Sequence, residues 1–274
     1  MGEISDALRR ARTRLDAPAG AVPPSEPRRE LPSPLGAAAS TREPVRIPAE
    51  KEGAWTARAV LVDPRGEAAE RYRQFAIRLQ RSMRERNARS LCLTSAVRGE
   101  GKTTTACNLA LALASMASGR RAALIELDLR RPAAAKALGI TPPVGVEAVL
   151  TGKAPLAEAC IRTQYADLDL FLAAAPPADP LSVISAQRTG QLLRDLARQY
   201  DLLLIDCPPA LPVPDVGLLM PHADAALLVV RGGVSRIGDI REALTALEGE
   251  KLLGVFLNEG KPPVHRRYYG YQND

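Results

Sequence analysis

A glycine-rich segment that ends in a lysine and two threonines carries the strongest chemical signal in this sequence. It reads Ala-Val-Arg-Gly-Glu-Gly-Lys-Thr-Thr over residues 96–104. Gly99 and Gly101 let the backbone turn its N–H groups toward phosphate oxygens, and the N-terminus of a following helix adds partial positive charge. This spacing is typical of a phosphate-binding loop and predicts chemistry on a nucleoside triphosphate.

The side chains of the loop have separate expected tasks. Lys102 is expected to reach the β- and γ-phosphates, Thr103 to offer its hydroxyl to Mg²⁺, and Thr104 to bind another phosphate oxygen. ATP with Mg²⁺ is therefore the expected ligand. The predicted nucleotide-binding residues of the loop are Gly99, Glu100, Gly101, Lys102, Thr103 and Thr104.

Three acidic residues lie at the ends of two apolar segments elsewhere in the chain. Glu126 and Asp128 end the segment that begins at residue 122, and Asp206 follows the run at 202–205. The two-residue period of a strand points Glu126 and Asp128 to the same side. An acid at such a strand end suits Mg²⁺ or its water shell. We expect Asp128 and Asp206 to be metal ligands with Thr103, and Glu126 to serve the metal through its longer side chain.

These residues need a strand before the loop, a helix after it and further strands beside it. Residues 91–95 have strand character, and residues 103–117 repeat apolar side chains at helical spacing. Further strands are predicted at 122–127, 168–173, 202–205, 225–230 and 252–257, and further helices at 67–86, 191–200 and 236–247. This alternation predicts an α/β fold with a mostly parallel sheet covered by helices on both faces. Ligands of such sheets gather at the carboxyl ends of the strands.

Composition divides the chain into four predicted parts. Residues 1–16 have the pattern of a short amphipathic helix, and residues 17–54 have the Pro- and Ala-rich composition of a disordered linker. Residues 55–262 are expected to form the phosphate-loop domain, and residues 263–274 a flexible tail. The basic stretch at 67–89 is typical of a solvated face or a subunit contact, and we expect no nucleic-acid partner.

Membrane and metal signals are weak in this sequence. No apolar run approaches the roughly 18 to 20 residues of a membrane-spanning helix, and the polar start does not resemble a signal peptide. The four cysteines have neither metal-site nor disulfide spacing. A cytoplasmic protein is expected.

Three of the six tyrosines, Tyr268, Tyr269 and Tyr271, lie in the last seven residues. The surrounding prolines, arginines and Gly270 disfavour a strand or a helix, so the phenols are expected to be exposed and available for phosphorylation. The competing interpretation is an aromatic tail that folds onto the domain or a partner.

These motifs together resemble the bacterial tyrosine kinases of capsule and exopolysaccharide synthesis. The resemblance covers residues 60–274 and rests on the phosphate loop, the segment at 127–132, the block at 200–215, the segment at 255–258 and the terminal tyrosines. It implies the phosphate-loop fold of MinD- and ParA-type ATPases, Lys102, Glu126, Asp128 and Asp206 as catalytic groups, Asn258 as a nucleotide contact, and phosphate transfer from ATP to Tyr268, Tyr269 and Tyr271. Asp128 is expected to activate the tyrosine hydroxyl.

The resemblance also implies partners. A membrane-embedded polysaccharide co-polymerase would activate the kinase and hold it at the inner membrane, a cognate tyrosine phosphatase would reverse its reaction, and copies of the chain would self-associate. Two departures bear on these expectations. Glu126 replaces an aspartate of the family, and Ala76 replaces the last arginine of its Glu-x-x-Arg-x-x-Arg assembly motif, which weakens the expectation of a ring.

Two other functions fit the same fold. A MinD- or ParA-type partition ATPase normally has a second lysine early in the loop, where this chain has Val97, and it has no use for clustered terminal tyrosines. A catalytically weak nucleotide switch, acting as a scaffold for polysaccharide export, would fit Glu126 and Ala76.

Overall fold

The computed structural model describes residues 43–50, 55–116, 119–247 and 251–259. The predicted helix at 1–16, most of the predicted linker and the terminal tyrosines lie outside the described residues.

A seven-stranded sheet forms the centre of the fold, in the order β3-β4-β2-β5-β1-β6-β7. All neighbouring strands are parallel except β3 and β4, which are antiparallel. The strands are β1 (Ser90–Ser95), β2 (Ala122–Glu126), β3 (Ile161–Arg162), β4 (Leu168–Phe171), β5 (Leu202–Asp206), β6 (Ala225–Arg231) and β7 (Leu252–Asn258). The mostly parallel sheet that the sequence predicted is thus confirmed.

The helices connect these strands and pack on both faces of the sheet. They are α1 (Ala59–Val62), α2 (Glu67–Glu85), α3 (Lys102–Ser115), α4 (Ala134–Leu138), α5 (Val146–Leu150), α6 (Leu156–Ala159), α7 (Pro180–Ser185), α8 (Gln187–Gln199), α9 (Asp215–Leu219) and α10 (Ile237–Ala246). Two short 3₁₀ helices span Trp55–Arg58 and Met220–His222.

Alternating side chains of each strand pack in two separate hydrophobic cores, one on each face of the sheet. In β5, Leu202 and Leu204 face the core that contains α2 and α3, whereas Leu203 and Ile205 face the core that contains α8. Because both faces are covered, the strands are apolar along their whole length, as expected for a parallel sheet. Because β1, β2 and β5 run parallel, their carboxyl ends lie together at one edge of the sheet.

A buried asparagine attaches the segment before α2 to α3. Asn108 Nδ2 donates to Thr56 O at 2.7 Å, and Asn108 Oδ1 accepts from Val60 N at 3.2 Å. Asn108 is fully buried, so these bonds are shielded from water. They place Thr56 and α1 beside the loop that precedes α3.

Candidate active site

The segment between β1 and α3 has the backbone of a phosphate-binding loop. Gly99 and Gly101 have φ values of 81° and 90°, in the left-handed region that favours glycine. A Cβ atom at Gly101 would clash with the side-chain amide of Asn258, so any side chain there would displace this amide. The two glycines therefore serve the loop conformation, and Asn258 at the end of β7 lies directly against it.

Residues distant in the sequence hold the loop in place. The buried Glu100 accepts through Oε2 from Val97 N at 2.8 Å and through Oε1 from the hydroxyl of Ser235. Asn258 Nδ2 donates to Glu100 O at 3.1 Å, and Arg231 Nη1 donates to Gly99 O at 3.2 Å. Glu100 thus points into the protein. It belongs to the predicted nucleotide-binding residues, and its side chain supports the loop conformation. Sequence reasoning missed Ser235 and Arg231 because no local motif marks them.

Lys102 lies between the two predicted metal-site aspartates. Its Nζ is 2.5 Å from Asp128 Oδ2 and 3.8 Å from Asp206 Oδ1. The backbone N–H of Asp128 donates to Asp206 O at 3.1 Å, which holds the end of β2 against the end of β5. Burial lowers the pKa of Lys102, but the charges of Asp206 and Asp128 outweigh this effect and raise it. Lys102 is therefore a permanent cation at the head of α3.

Asp206 is a fully buried acid at the end of β5. Neither of its carboxylate oxygens has a hydrogen-bond partner in the described part of the chain. Burial raises the pKa of Asp206, and the charge of Lys102 opposes this change. Because a buried carboxylate without hydrogen bonds is costly, a metal ion or its water would satisfy the oxygens that Lys102, 3.8 Å away, leaves without a hydrogen bond. Within the described ranges, no cluster of three or more His, Cys, Asp or Glu residues forms a metal cage.

An open cleft of about 600 Å³ runs along the phosphate loop. Five side chains of the predicted site line it: Lys102, Thr103, Thr104, Asp128 and Asn258. Its other lining residues are mainly cationic or apolar, and include Arg98, Arg130, Arg131, Arg231, Thr56, Ala59 and Tyr72. A cleft of this size accommodates a nucleotide, since small-molecule sites measure roughly 300 to 1,000 Å³.

Arg130 is fixed where the cleft meets α9. Its Nε donates to Asp215 Oδ2 at 2.8 Å, and its Nη2 donates to Asp215 Oδ1 at 3.0 Å. Asp215 is fully buried, so this bidentate pair anchors the segment after β2 to the first residue of α9. Sequence reasoning did not assign a role to either residue.

Glu126 does not face the cleft with Asp128. Its Oε1 accepts from Ala133 N at 2.5 Å and from Ala134 N at 2.7 Å, and its Oε2 accepts from Ala173 N at 3.1 Å. The side chain is fully buried, and β2 ends at Glu126, so the two-residue period no longer relates it to Asp128. This geometry argues against the metal role expected from the sequence. We propose instead that Glu126 fixes the start of α4 and the end of β4.

We expect the stability contribution of Glu126 to depend on pH. Burial and the nearby Asp206 raise the pKa of Glu126 from 4.5 to about 7. Between these values the folded chain binds more protons than the unfolded chain, so this contribution is complete below pH 4.5 and is lost as the pH rises through about 7. Between pH 5 and pH 8, Glu126 should account for a loss of unfolding free energy on the order of 3 kcal/mol in urea, and Glu126→Gln should remove this share of the pH dependence.

The matched control for this measurement is Glu242→Gln, because Glu242 is exposed on α10. This variant should retain the pH dependence of the unmodified chain. Equal pH dependence in Glu126→Gln and the unmodified chain would contradict the assignment to Glu126.

Comparison with known proteins identifies the family. A family described as an AAA domain matches residues 89–234. The tyrosine-protein kinase YwqD of Bacillus subtilis (strain 168) is 31% identical over 214 residues, which cover 77% of this chain and 89% of YwqD. The tyrosine-protein kinase wzc of Salmonella typhimurium is 30% identical over 213 residues, which cover 77% of this chain and 29% of wzc.

Solved structures agree with this assignment. The kinase domain of the Escherichia coli tyrosine kinase ETK matches with a TM-score of 0.68 and 26% identity, over 78% of this chain and 84% of that domain. The cell division ATPase MinD of Pyrococcus furiosus matches with a TM-score of 0.54 and 27% identity, over 62% of this chain and 70% of MinD. No helix within the described residues is long and apolar enough to cross a membrane. By its phosphate loop, its sheet and its similarity to YwqD, the chain belongs to the bacterial tyrosine-protein kinases.

Proposed function

We propose that this chain is an ATP-dependent tyrosine autokinase that regulates the polymerisation and export of a capsular polysaccharide or exopolysaccharide. The observation that carries the proposal is the position of Lys102 between Asp128 and Asp206 at a nucleotide-sized cleft. In this arrangement the Lys102 ammonium can bind the terminal phosphates and the Asp128 carboxylate can accept a proton. The buried Asp206 carboxylate can bind a metal ion. Phosphoryl transfer is catalysed mainly by such positioning and electrostatic stabilisation.

The residues of the site have the following proposed roles. The loop N–H groups, Lys102 and Thr104 hold the phosphates of ATP, and the bound ATP draws Lys102 away from Asp128. Asp128 then accepts the proton of a tyrosine hydroxyl, the phenolic oxygen bonds to the γ-phosphorus, and the bond to the ADP oxygen breaks. Thr103 and Asp206, with Asp128 nearby, would hold Mg²⁺, which neutralises charge on the phosphates.

The state of the other tyrosines supports the terminal cluster as the acceptor. Tyr72 and Tyr200 are buried, and burial raises the pKa of both phenols, that of Tyr72 to about 12. The hydroxyl of Tyr200 donates to Asp169 Oδ2 at 2.7 Å, and the half-buried Tyr165 packs against the hydrophobic core. The acceptors we propose are therefore Tyr268, Tyr269 and Tyr271.

The partners and location follow the family resemblance and are part of the proposal. The matched region covers most of YwqD but less than a third of wzc, so wzc contains much additional sequence outside the kinase region. A separate membrane-embedded co-polymerase would activate the present chain and hold it at the inner membrane. A cognate phosphatase would remove the phosphates. Copies of the chain would self-associate, although Ala76 replaces the last arginine of the assembly motif.

Phosphorylation between subunits is expected, because the tail has sufficient reach. Nine residues lie between Asn258 and Tyr268, and the ten residue-to-residue steps span up to about 33 to 36 Å in an extended chain. In a mixture of a Lys102→Met chain with an active chain lacking residues 263–274, the inactive partner should acquire phosphotyrosine, measured by mass spectrometry. A Lys102→Met chain that also has phenylalanine at 268, 269 and 271 should remain unlabelled. No label in the first mixture, with the full active chain labelled in parallel, would refute transfer between subunits.

A MinD-type ATPase remains the second candidate, because the MinD structure shares the fold. This function predicts ATP hydrolysis without phosphotyrosine. The labelling experiment therefore separates the two candidates.

A further inference from the structure

A second, smaller pocket lies at the edge of the sheet opposite the phosphate loop. It has a volume of about 140 Å³ and lies where β1, β2 and β5 begin and where α2 and α3 end. Four arginines line this arginine pocket, together with Met83, Leu113, Leu202 and Asp201: they are Arg84, Arg89, Arg120 and Arg121. Because a water molecule occupies about 30 Å³ of liquid, the pocket has room for one phosphate group and not for a nucleotide.

Three of these arginines are available to a ligand. Arg121 is already neutralised, since its Nη2 donates to Asp169 Oδ2 at 3.0 Å and its guanidinium lies 4.8 Å from the ring centroid of Tyr200. In the described part of the chain, Arg84, Arg89 and Arg120 form no ion pair and no side-chain hydrogen bond. The pocket therefore contains three unpaired positive charges against the negative charge of Asp201, whose Oδ2 accepts from Arg121 N at 2.9 Å.

This charge matches a phosphate monoester. Such a group carries about −1.5 to −2 charges at neutral pH, close to the surplus in the pocket. Arginine binds phosphate through two parallel hydrogen bonds and stacks on aromatic rings. The apolar lining residues Met83, Leu113 and Leu202 are themselves buried, so the ring of an aryl phosphate would pack against the arginines. An aryl phosphate uses both features, whereas inorganic phosphate uses only the first.

The terminal segment of this chain changes its charge when it becomes an aryl phosphate. Residues 260–274 contain three basic residues, Lys261, Arg266 and Arg267, and one acidic residue, Asp274. The arginine pocket would repel this segment in its basic form. Phosphates on Tyr268, Tyr269 and Tyr271 would each add about −1.5 to −2 charges and make the segment acidic.

We propose that the arginine pocket binds a phosphotyrosine of the terminal segment and so recognises the phosphorylated product of the kinase. This inference rests on the proposed autokinase function. The pocket and the phosphate loop lie at opposite edges of the sheet, so phosphotyrosine binding and ATP binding use separate sites. A chain that has been phosphorylated would thereby gain a contact that the unphosphorylated chain lacks.

The test uses a peptide of residues 260–274 phosphorylated at Tyr269 and its unphosphorylated form. Binding to the full chain with phenylalanine at 268, 269 and 271, whose phosphate loop is intact, is measured by calorimetry with saturating MgADP, which fills the loop and cannot donate a phosphate. We expect the phosphopeptide to bind at least about tenfold more tightly than the unphosphorylated peptide, because hydrogen bonds to charged groups dominate. Arg89→Ala with Arg120→Ala should remove this preference, whereas Arg198→Ala, on the exposed face of α8, should retain it.

Three results would overturn the inference. The first is equal binding of both peptides, and the second is a preference that survives the double substitution. The third is loss of folding stability in the double variant with unchanged phosphopeptide affinity, which would show that the arginines only stabilise the ends of α2 and α3. If the second result occurs and the double variant also loses binding to anionic phospholipid vesicles, the pocket is assigned to lipid.

The proposed function and this inference fail separately. The peptide assay needs no kinase activity, because the phosphate is introduced by synthesis. If the active chain forms phosphotyrosine but the phosphopeptide does not bind, only the pocket assignment is refuted. If the active chain forms no phosphotyrosine, the proposed function is refuted independently.

Discussion

Replacing Lys102 with methionine is expected to abolish phosphotyrosine formation while the chain remains folded. Lys102 is the only cation within 4 Å of Asp128 and Asp206 among the described residues. Its ammonium group is expected to bind the terminal phosphates when ATP binds. Removing one preorganised charge of this kind typically lowers the rate by about 10² to 10³. Phosphotyrosine measured by mass spectrometry should fall by at least this factor.

The same variant should lose the rise in melting temperature that MgATP gives the unmodified chain. Ligand binding to the folded state stabilises it by mass action, so a weaker complex gives a smaller shift. Lys153→Met is the matched control, since Lys153 is exposed and distant in sequence from the loop. A Lys102→Met chain that forms phosphotyrosine at the unmodified rate would refute the assignment of the chemistry to the phosphate loop.

Replacing Asp128 with asparagine should give a second large loss of activity, but a different pattern of binding. Asparagine keeps the shape of the side chain but cannot accept the phenolic proton as a carboxylate does. General bases typically contribute about 10² to 10⁴ to the rate, and the maximal rate should fall within this range. ATP should bind at least as tightly as before, because a negative charge beside the phosphates has been removed.

Comparison with Asp206→Asn separates proton transfer from metal binding. Asp206→Asn should raise the Mg²⁺ concentration needed for half-maximal rate, because it removes the buried carboxylate proposed to hold the metal. Asp195→Asn, on α8, serves as the control for charge removal. An Asp128→Asn chain that retains its maximal rate but needs more Mg²⁺ would assign Asp128 to the metal and not to the proton.

Local patterns in the sequence were sufficient to predict most of the sheet. The strand before the phosphate loop and the five further predicted strands are each within about two residues of β1, β2, β4, β5, β6 and β7. A buried parallel strand is apolar throughout, and such a run is visible without knowledge of its neighbours. The two-residue β3 was not predicted, because two residues are too few to show a period.

Local patterns also predicted that Lys102, Asp128 and Asp206 lie together. The loop motif places Lys102 at the start of a helix, and each aspartate lies at or just after the end of a buried strand. Parallel strands bring their carboxyl ends to one edge of the sheet, so the meeting of these residues follows from the fold class alone.

The tertiary structure decided the roles of the other charged residues. Glu126 has the residue type and position expected of a site residue, yet its carboxylate accepts hydrogen bonds from three backbone N–H groups. Two of these groups lie at the start of a helix that the sequence did not predict. Glu100 belongs to the loop motif, yet its carboxylate is bonded to Ser235, which is 135 residues away. The arginine pocket likewise combines the ends of α2 and α3 with the starts of three strands. Sequence spacing reveals contacts that repeat within one helix or strand, whereas contacts between distant elements depend on how those elements pack.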